Sequence, residues 1–214
     1  MKITLLCSDP LHPVNGYLSQ WIKKNKKTHK ISLVRKMSEL IGGDILFLVS
    51  CSEIMPEYVR EKYKFCLLLH ASDLPKGRGW SPYIWEIISG AEQITVTLLE
   101  VEDPVDSGDI WEKITISIPK HALWNEINEK LFSAEMSLID LAVNNFCKIK
   151  PKSQPTNIIP NYHPRRKPED SRIDPDISIS KQFDNIRVCD PNRYPAFFEM
   201  HGIDFKIIIE KINK

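Results

Sequence analysis

The sequence is short of glycine, of paired metal-ligand spacings and of net charge. Only 8 of its 214 residues are glycine. Its one G-x-G, Gly77-Arg78-Gly79, lacks the third glycine of a dinucleotide fingerprint, and no G-K-[ST] is present. Nicotinamide and P-loop nucleotide chemistry are thereby set aside. The 5 cysteines, Cys7, Cys51, Cys66, Cys147 and Cys189, are odd in number and contain no C-x-x-C. Reduced thiols in a cytoplasmic protein are expected, with no disulfide framework and no zinc site. The 6 histidines are scattered, without H-E-x-x-H or H-x3-H, so no metal is expected. Lys and Arg number 29 against 28 Asp and Glu, a formal net charge of +1. That is a poor basis for holding nucleic acid, where affinity comes mainly from phosphate neutralisation. No apolar run reaches the ~18 residues of a membrane span, and charge follows the opening MKITLLC too soon for a signal peptide.

What is present is an alternation of short apolar runs and amphipathic stretches. Lys2–Cys7, Ile31–Val34, Asp44–Val49 and Phe65–Leu69 read as strands, and the continuous DILFLV and FCLLL suit a parallel sheet covered on both faces. Val14–Asn25, Pro56–Lys62 and Trp80–Ser89 read as helices, the last closed by Gly90. Two β-rich runs, Ile94–Val101 and Ile110–Ile118, flank the turn-forming stretch from Asp103 to Gly108. Apolar residues at Ile127, Leu131, Ala134, Leu138 and Leu141 predict a long helix within Leu123–Phe146. The expectation is an α/β fold, a Rossmann-like, doubly wound and mostly parallel sheet, over residues 1–150. Pro151, Pro155, Pro160, Pro164 and Pro168 then exclude a regular helix or central strand. Residues 151–214 are expected to form a Pro-rich linker, a helix at Ser178–Val188 and β-rich segments to Lys214, as an appendage packed on the core.

In open α/β sheets, ligands bind beyond the carboxyl ends of the strands. His70 stands at that end of Phe65–Leu69, and Asp106 lies in the turn between the two later β-rich runs. If those loops converge, the pair makes an oriented acid or base. A histidine that only caps a strand is the competing explanation.

His70-Ala-Ser-Asp-Leu-Pro75, Arg78-Gly79, Gly90, Val96-Thr97-Leu98 and Asp106-Ser-Gly-Asp-Ile110 occur in this order. Arg166-Lys-Pro-Glu-Asp170, Ile173-Asp174 and Arg193-Tyr-Pro-Ala-Phe-Phe198 follow. This series resembles the signature of the formyltetrahydrofolate-dependent formyltransferases, over about half of the chain. The last stretch is similar to the sugar N-formyltransferase branch. The loop from His70 to Pro82 is similar to the short enzymes of nonulosonic (pseudaminic-type) acid pathways in surface-glycan biosynthesis.

The resemblance implies that His70 and Asp106 are catalytic and that N10-formyltetrahydrofolate is the co-substrate, with no metal. It places the folate between two loops, at Phe47, Ser50, Cys51, Ile54, Asp103 and Val105. Core packing is the competing explanation for Phe47 and Ile54. The implied acceptor is the primary amine of a nucleotide-linked 4-amino-4,6-dideoxy-type sugar, met by Lys76, Arg78, Trp80, Tyr194 and Phe197. Another small amine and methionyl-tRNA are alternative acceptors, and a folate or sugar-nucleotide binding module is the alternative outside catalysis. One position departs from the family pattern: where N-x-H is usual, Leu68 replaces the Asn. A backbone N–H or a side chain near Ser50–Ser52 would then have to replace the amide. No membrane or nucleic-acid partner is expected, and a homodimer through the C-terminal β-rich segment is an open expectation.

Overall fold

The structure is a computed structural model and describes residues 1–212. A six-stranded sheet runs in the order β2-β1-β3-β4-β6-β7. Its strands are β1 (Lys2–Leu6), β2 (Lys30–Val34), β3 (Gly43–Leu48), β4 (Tyr63–His70), β6 (Gln93–Glu100) and β7 (Ile110–Ser117). The first four pair in parallel, whereas β6 runs antiparallel to β4 and β7 antiparallel to β6. The mostly parallel α/β sheet expected from the apolar runs is what the chain forms.

The two faces are covered unequally. On one face, Ile3, Leu5, Ile45, Phe47, Leu67 and Leu69 pack against α1 (Val14–Asn25) and α4 (Trp124–Asn144). Each helix buries one stripe: Val14, Leu18 and Trp21 on α1, and Ile127, Leu131, Leu138 and Ala142 on α4. Each large aliphatic or aromatic side chain so buried contributes about 1.5–3 kcal/mol. Trp21 Nε1 donates to Asp140 at 2.6 Å and pins the two helices together.

The opposite face carries a smaller cluster of Leu6, Leu46, Leu48 and Cys66, closed by Met55 and Val59. Here the α-helical cover among the described residues is α2 (Glu57–Arg60), a single turn, beside a 3-10 turn at Met37–Glu39. The helix expected over Pro56–Lys62 is therefore shorter.

The helix α3 (Pro82–Ile88) begins two residues after Trp80. The reason is local: Gly79 and Ser81 have φ of +95° and +45°, left-handed values no right-handed helix includes. The Pro-rich stretch bridges Lys152 to Ile110, forms β8 (Tyr162–His163), which pairs with the two-residue β5 (Arg78–Gly79), and ends in a 3-10 turn at Pro168–Ser171. Helix α5 (Ile179–Arg187) follows, then the hairpin of β9 (Ala196–Met200) and β10 (Ile203–Ile207). Arg187, 1% exposed, donates to the carbonyls of Pro119 and Ala122 and so staples α5 onto the β7–α4 connection. Ile186, Val188 and Ala196 join the large buried cluster. The β-rich reading to Lys214 ends at Ile207, and residues 213–214 lie outside the described residues.

Candidate active site

Period-two alternation along β4 sends Leu67 and Leu69 to the helix-covered face and Cys66, Leu68 and His70 to the other. His70 is the last residue of the strand and pairs with Thr97 on β6. The β6–β7 loop brings Asp106 back to it: His70 Nδ1 and Asp106 Oδ1 stand 3.7 Å apart, and both residues are buried, 7% and 6% exposed. Asp106 adopts φ +60°. Asp tolerates this left-handed value better than most side chains, and it turns the carboxylate inward. Gly108 completes the turn, because any Cβ there would land on the Glu100 carbonyl.

Both members of the pair are held on their outer sides. Gly79 N–H donates to Asp106 Oδ2 at 2.9 Å, leaving Oδ1 toward the ring. His70 Nε2 lies 2.8 Å from the Gly77 carbonyl. A carbonyl only accepts, so Nε2 carries hydrogen and Nδ1 is the edge that faces Asp106. The Gly77 N–H in turn donates to Asn161 Oδ1 at 2.8 Å. Behind this loop Glu86 is pushed up to about 7, first by burial and then by Asp73.

The Pro-rich stretch forms the outer wall. Gln154 Nε2 donates to the carbonyls of Asp106 at 2.9 Å and Gly108 at 3.0 Å, while its Oε1 accepts from Arg78 at 3.0 Å. Tyr162 donates its hydroxyl to the Val105 carbonyl at 3.1 Å. His163 stacks on Trp85, and burial, with the neighbouring His70 second, holds its ring below the usual histidine value.

The chain that carries this pair has known relatives. The sequence profile of the formyl transferase family matches residues 10–143. The chain belongs to the formyl transferase family. A methionyl-tRNA formyltransferase from Rickettsia bellii is 29% identical over 173 residues, 78% of this chain and 55% of the relative. The chain thus spans little more than half the length of that relative. The fold is shared with a methionyl-tRNA formyltransferase from Clostridium thermocellum, with a TM-score of 0.84 and 23% identity over 100% of this chain and 94% of the other. A sugar N-formyltransferase from a Shewanella species superposes with a TM-score of 0.74 and 14% identity, over 100% and 99%. HypX from Aquifex aeolicus, solved with tetrahydrofolic acid, does so with 0.79 and 22%, over 95% and 36%.

In this formyl transferase, the residues expected around a folate separate into groups. Phe47 is a correction: it is fully buried beside Leu67 on the helix-covered face, because strand alternation points it away from His70. Ser50, at φ +49°, and Cys51 sit at the end of β3, where the Cys51 sulfur takes hydrogen bonds from Ser8 and from Glu53 N–H. Burial holds the Cys51 thiol above its usual value, which makes it an inert group. Ile54 is 71% exposed, and Val105 is also exposed. Asp103 pairs with Arg60 at 2.7 Å.

A cavity of about 230 Å³ opens beside these groups, lined by Arg60, Cys66, Val101 and Glu102 among others. Leu68 occupies the place of the family amide and packs with Cys51 and Val101 against the small cluster. Arg60 Nη1 is buried there without a partner among the described residues. The cavity is mostly charged, with Glu57, Arg60, Lys64, Glu100 and Glu102 around Cys66 and Val101. It lies along the amino-terminal half of β4, with neither His70 nor Asp106 in its wall.

The acceptor residues are less gathered. Arg78 is engaged with Gln154, and Lys76 is exposed on the same loop. Trp80, 41% exposed, carries the Arg165 guanidinium 5.0 Å from its ring centre. Tyr194 and Phe197 lie in the C-terminal segment, under Arg193 and Arg172 respectively. Gln154, Asn161, Tyr162, His163 and Arg60 were not legible as site residues. For the first four the signal was polar side chains between closely spaced prolines, and for Arg60 there was none.

Proposed function

We propose that this formyl transferase moves a formyl group from N10-formyltetrahydrofolate to the primary amine of a nucleotide-linked amino sugar. The observation that carries formyl transfer is the buried His70–Asp106 pair at the carboxyl end of β4, inside the region matched by the family profile. The folate binder among the structural neighbours supports the donor.

N10-formyltetrahydrofolate supplies an activated formyl carbon. The protein's part is to orient the reactants and to place hydrogen-bond donors and proton carriers around that carbon. The Nδ1 edge of His70 is the one left open to reacting atoms, since Nε2 is occupied by Gly77. With a proton on each ring nitrogen it donates from Nδ1 to the formyl oxygen as negative charge develops there, and Asp106 stabilises the positive charge on the ring. As the amine adds to the formyl carbon, Asp106 Oδ1, free of the Gly79 bond, takes up the proton that nitrogen loses, directly or through water; the carbon–N10 bond then breaks and the same proton passes to N10, releasing tetrahydrofolate. With Leu68 in place of an amide, the oxygen lacks one side-chain donor. Deleting one such donor typically costs on the order of 10²–10³ in rate.

Full-length superposition on a sugar N-formyltransferase and the near-zero net charge support the sugar acceptor. Trp80 with Arg165 over its ring offers an apolar face and a charge for a sugar nucleotide. Methionyl-tRNA is the second reading, favoured by the R. bellii and C. thermocellum proteins. The deciding experiment is mass spectrometry after incubation with N10-formyltetrahydrofolate and either a panel of UDP-linked amino sugars or methionyl-tRNA. A single formyl gain on one sugar establishes the first reading. Formylation of the tRNA alone replaces it with the second.

A further inference from the structure

One peptide unit stands behind His70 and is held at both ends. Its carbonyl, that of Gly77, faces His70 Nε2 at 2.8 Å. Its nitrogen is that of Arg78, and this N–H donates to the Asn161 carbonyl at 3.0 Å. The preceding peptide ends in the Gly77 N–H, which donates to Asn161 Oδ1 at 2.8 Å. Asn161 thus takes both N–H groups of the turn, one on its side chain and one on its main chain. Hydrogen bonds in such a row, ring to carbonyl and amide to carbonyl, polarise and strengthen one another.

The orientation of the Asn161 amide follows from its neighbours. An N–H only donates, so the atom facing Gly77 is the oxygen, and Nδ2 points to His163 Nε2 at 3.4 Å. His163 accepts there as a neutral ring, held below the usual histidine value by burial first and by His70 second. From Asn161 the chain continues into β8, which pairs Tyr162 with Arg78 and His163 with Gly79. Gly79 N–H in turn ends on Asp106. The stretch from Asn161 to His163 therefore reaches both members of the pair, and its side-chain hold on the His70 side is Asn161.

A neutral His70 has two forms to choose between. Hydrogen on Nε2 serves the Gly77 carbonyl at 2.8 Å, and hydrogen on Nδ1 serves Asp106 Oδ1 at 3.7 Å. The first form wins only while the carbonyl stays aimed at the ring. We infer that Asn161 is a positioning residue: acting through Gly77, it fixes hydrogen on Nε2 of His70, so that the second proton of the charged ring sits on Nδ1. That is the edge left to donate to reacting atoms. The inference rests on the reading of His70 as the donor to the formyl oxygen. Asn161 is itself exposed, so truncating its side chain opens no hole in the core.

Heteronuclear magnetic resonance of the imidazole nitrogens reads this without any substrate, with His70→Ala to assign the ring and circular dichroism to confirm folding. In the wild type, the His70 nitrogen that loses its proton as pH rises is Nδ1, and Nε2 stays protonated. In Asn161→Ala the Gly77 peptide is free to turn, and the neutral ring divides between its two forms. Turnover is followed on whichever UDP-linked amino sugar, or methionyl-tRNA, takes the formyl group. There kcat in Asn161→Ala falls roughly tenfold or more, with KM for N10-formyltetrahydrofolate unchanged. Asn161→Asp keeps an oxygen for the Gly77 N–H and restores both the nitrogen spectrum and most of kcat, which a general loss of stability would not allow. Hydrogen chiefly on Nδ1 in the neutral wild type, or a wild-type spectrum in Asn161→Ala, overturns the inference. So does full kcat in Asn161→Ala, or an Asn161→Asp protein as slow as Asn161→Ala. Turnover that survives His70→Ala overturns the functional reading instead, while the spectra still decide what Asn161 does.

Discussion

Gln154 holds Asp106 across 48 residues of chain, its side-chain nitrogen donating to the Asp106 carbonyl at 2.9 Å. The same nitrogen reaches Gly108. An irregular, Pro-rich stretch therefore sets the conformation of the turn that carries the carboxylate. Replacing Gln154 with Ala removes both bonds and frees Arg78. Each lost hydrogen bond costs about 0.5–1.5 kcal/mol of stability. The expected result is a modest fall in melting temperature with a roughly tenfold or greater loss in kcat, because small misplacements of a catalytic group are costly. Unchanged kcat would show that the turn holds its shape without Gln154.

The His–Asp pair itself should separate catalysis from folding. His70→Ala and Asp106→Asn are expected to lower kcat/KM by on the order of 10²–10⁴, the usual contribution of general acid–base groups. Both proteins should keep the wild-type circular dichroism spectrum and bind folate in calorimetry. Equal turnover in wild type and His70→Ala would remove His70 from the chemistry.

Gly108 tests the turn from the other direction. A Cβ at this position would drive into the Glu100 carbonyl, which belongs to the neighbouring strand and cannot step aside. Gly108→Ala is expected to cost several kcal/mol, within the range of severe backbone and packing lesions. Urea denaturation reads this directly, and a midpoint equal to wild type would contradict the close approach.

A buried carboxyl far from the pair predicts a pH signature in stability. Glu135 on α4 is 5% exposed, its Oε2 has no partner among the described residues, and burial pushes it up from 4.5 to about 8. Tyr83 on α3 feels the same site, its hydroxyl raised first by its own burial and then by Glu135. The folded state thus binds the Glu135 proton more tightly than the unfolded chain does. Its contribution to stability is complete below pH 4.5 and is lost as pH rises through about 8. Glu135→Gln, which stays neutral, should melt above wild type at pH 8–9 and close to it at pH 5. In a chain of this size each 1 kcal/mol moves the melting temperature by about 2–4 °C. A pH-independent difference between the two proteins would mean that the carboxyl is not protonated in the fold.

The sheet was readable because its information is local. DILFLV and FCLLL are short apolar runs bounded by polar residues, which suit strands covered on both faces. The α4 stripe from Ile127 to Leu138 declares a helix by spacing alone. His70 and Asp106 were legible for a related reason. Each ends or turns a readable strand, but β6 runs antiparallel to β4, so its carboxyl end lies beside Leu67 and Cys66 and the loop that carries Asp106 must fold back to reach His70.

Tertiary structure alone decided the rest. Phe47 and Leu48 are adjacent and equally apolar, and only the pleat sends one to the helices and the other toward the open face. Gln154 and Asn161 stand among prolines with no periodicity to mark them, and reach Asp106 and Gly77 because the chain folds back beside β5. The sequence by itself determined the layers, the strand ends and the two residues of the pair, since hydrophobic period and turn chemistry act over a few residues. Which side chains close around that pair depended on long-range hydrogen bonds between irregular segments, and no local pattern records those.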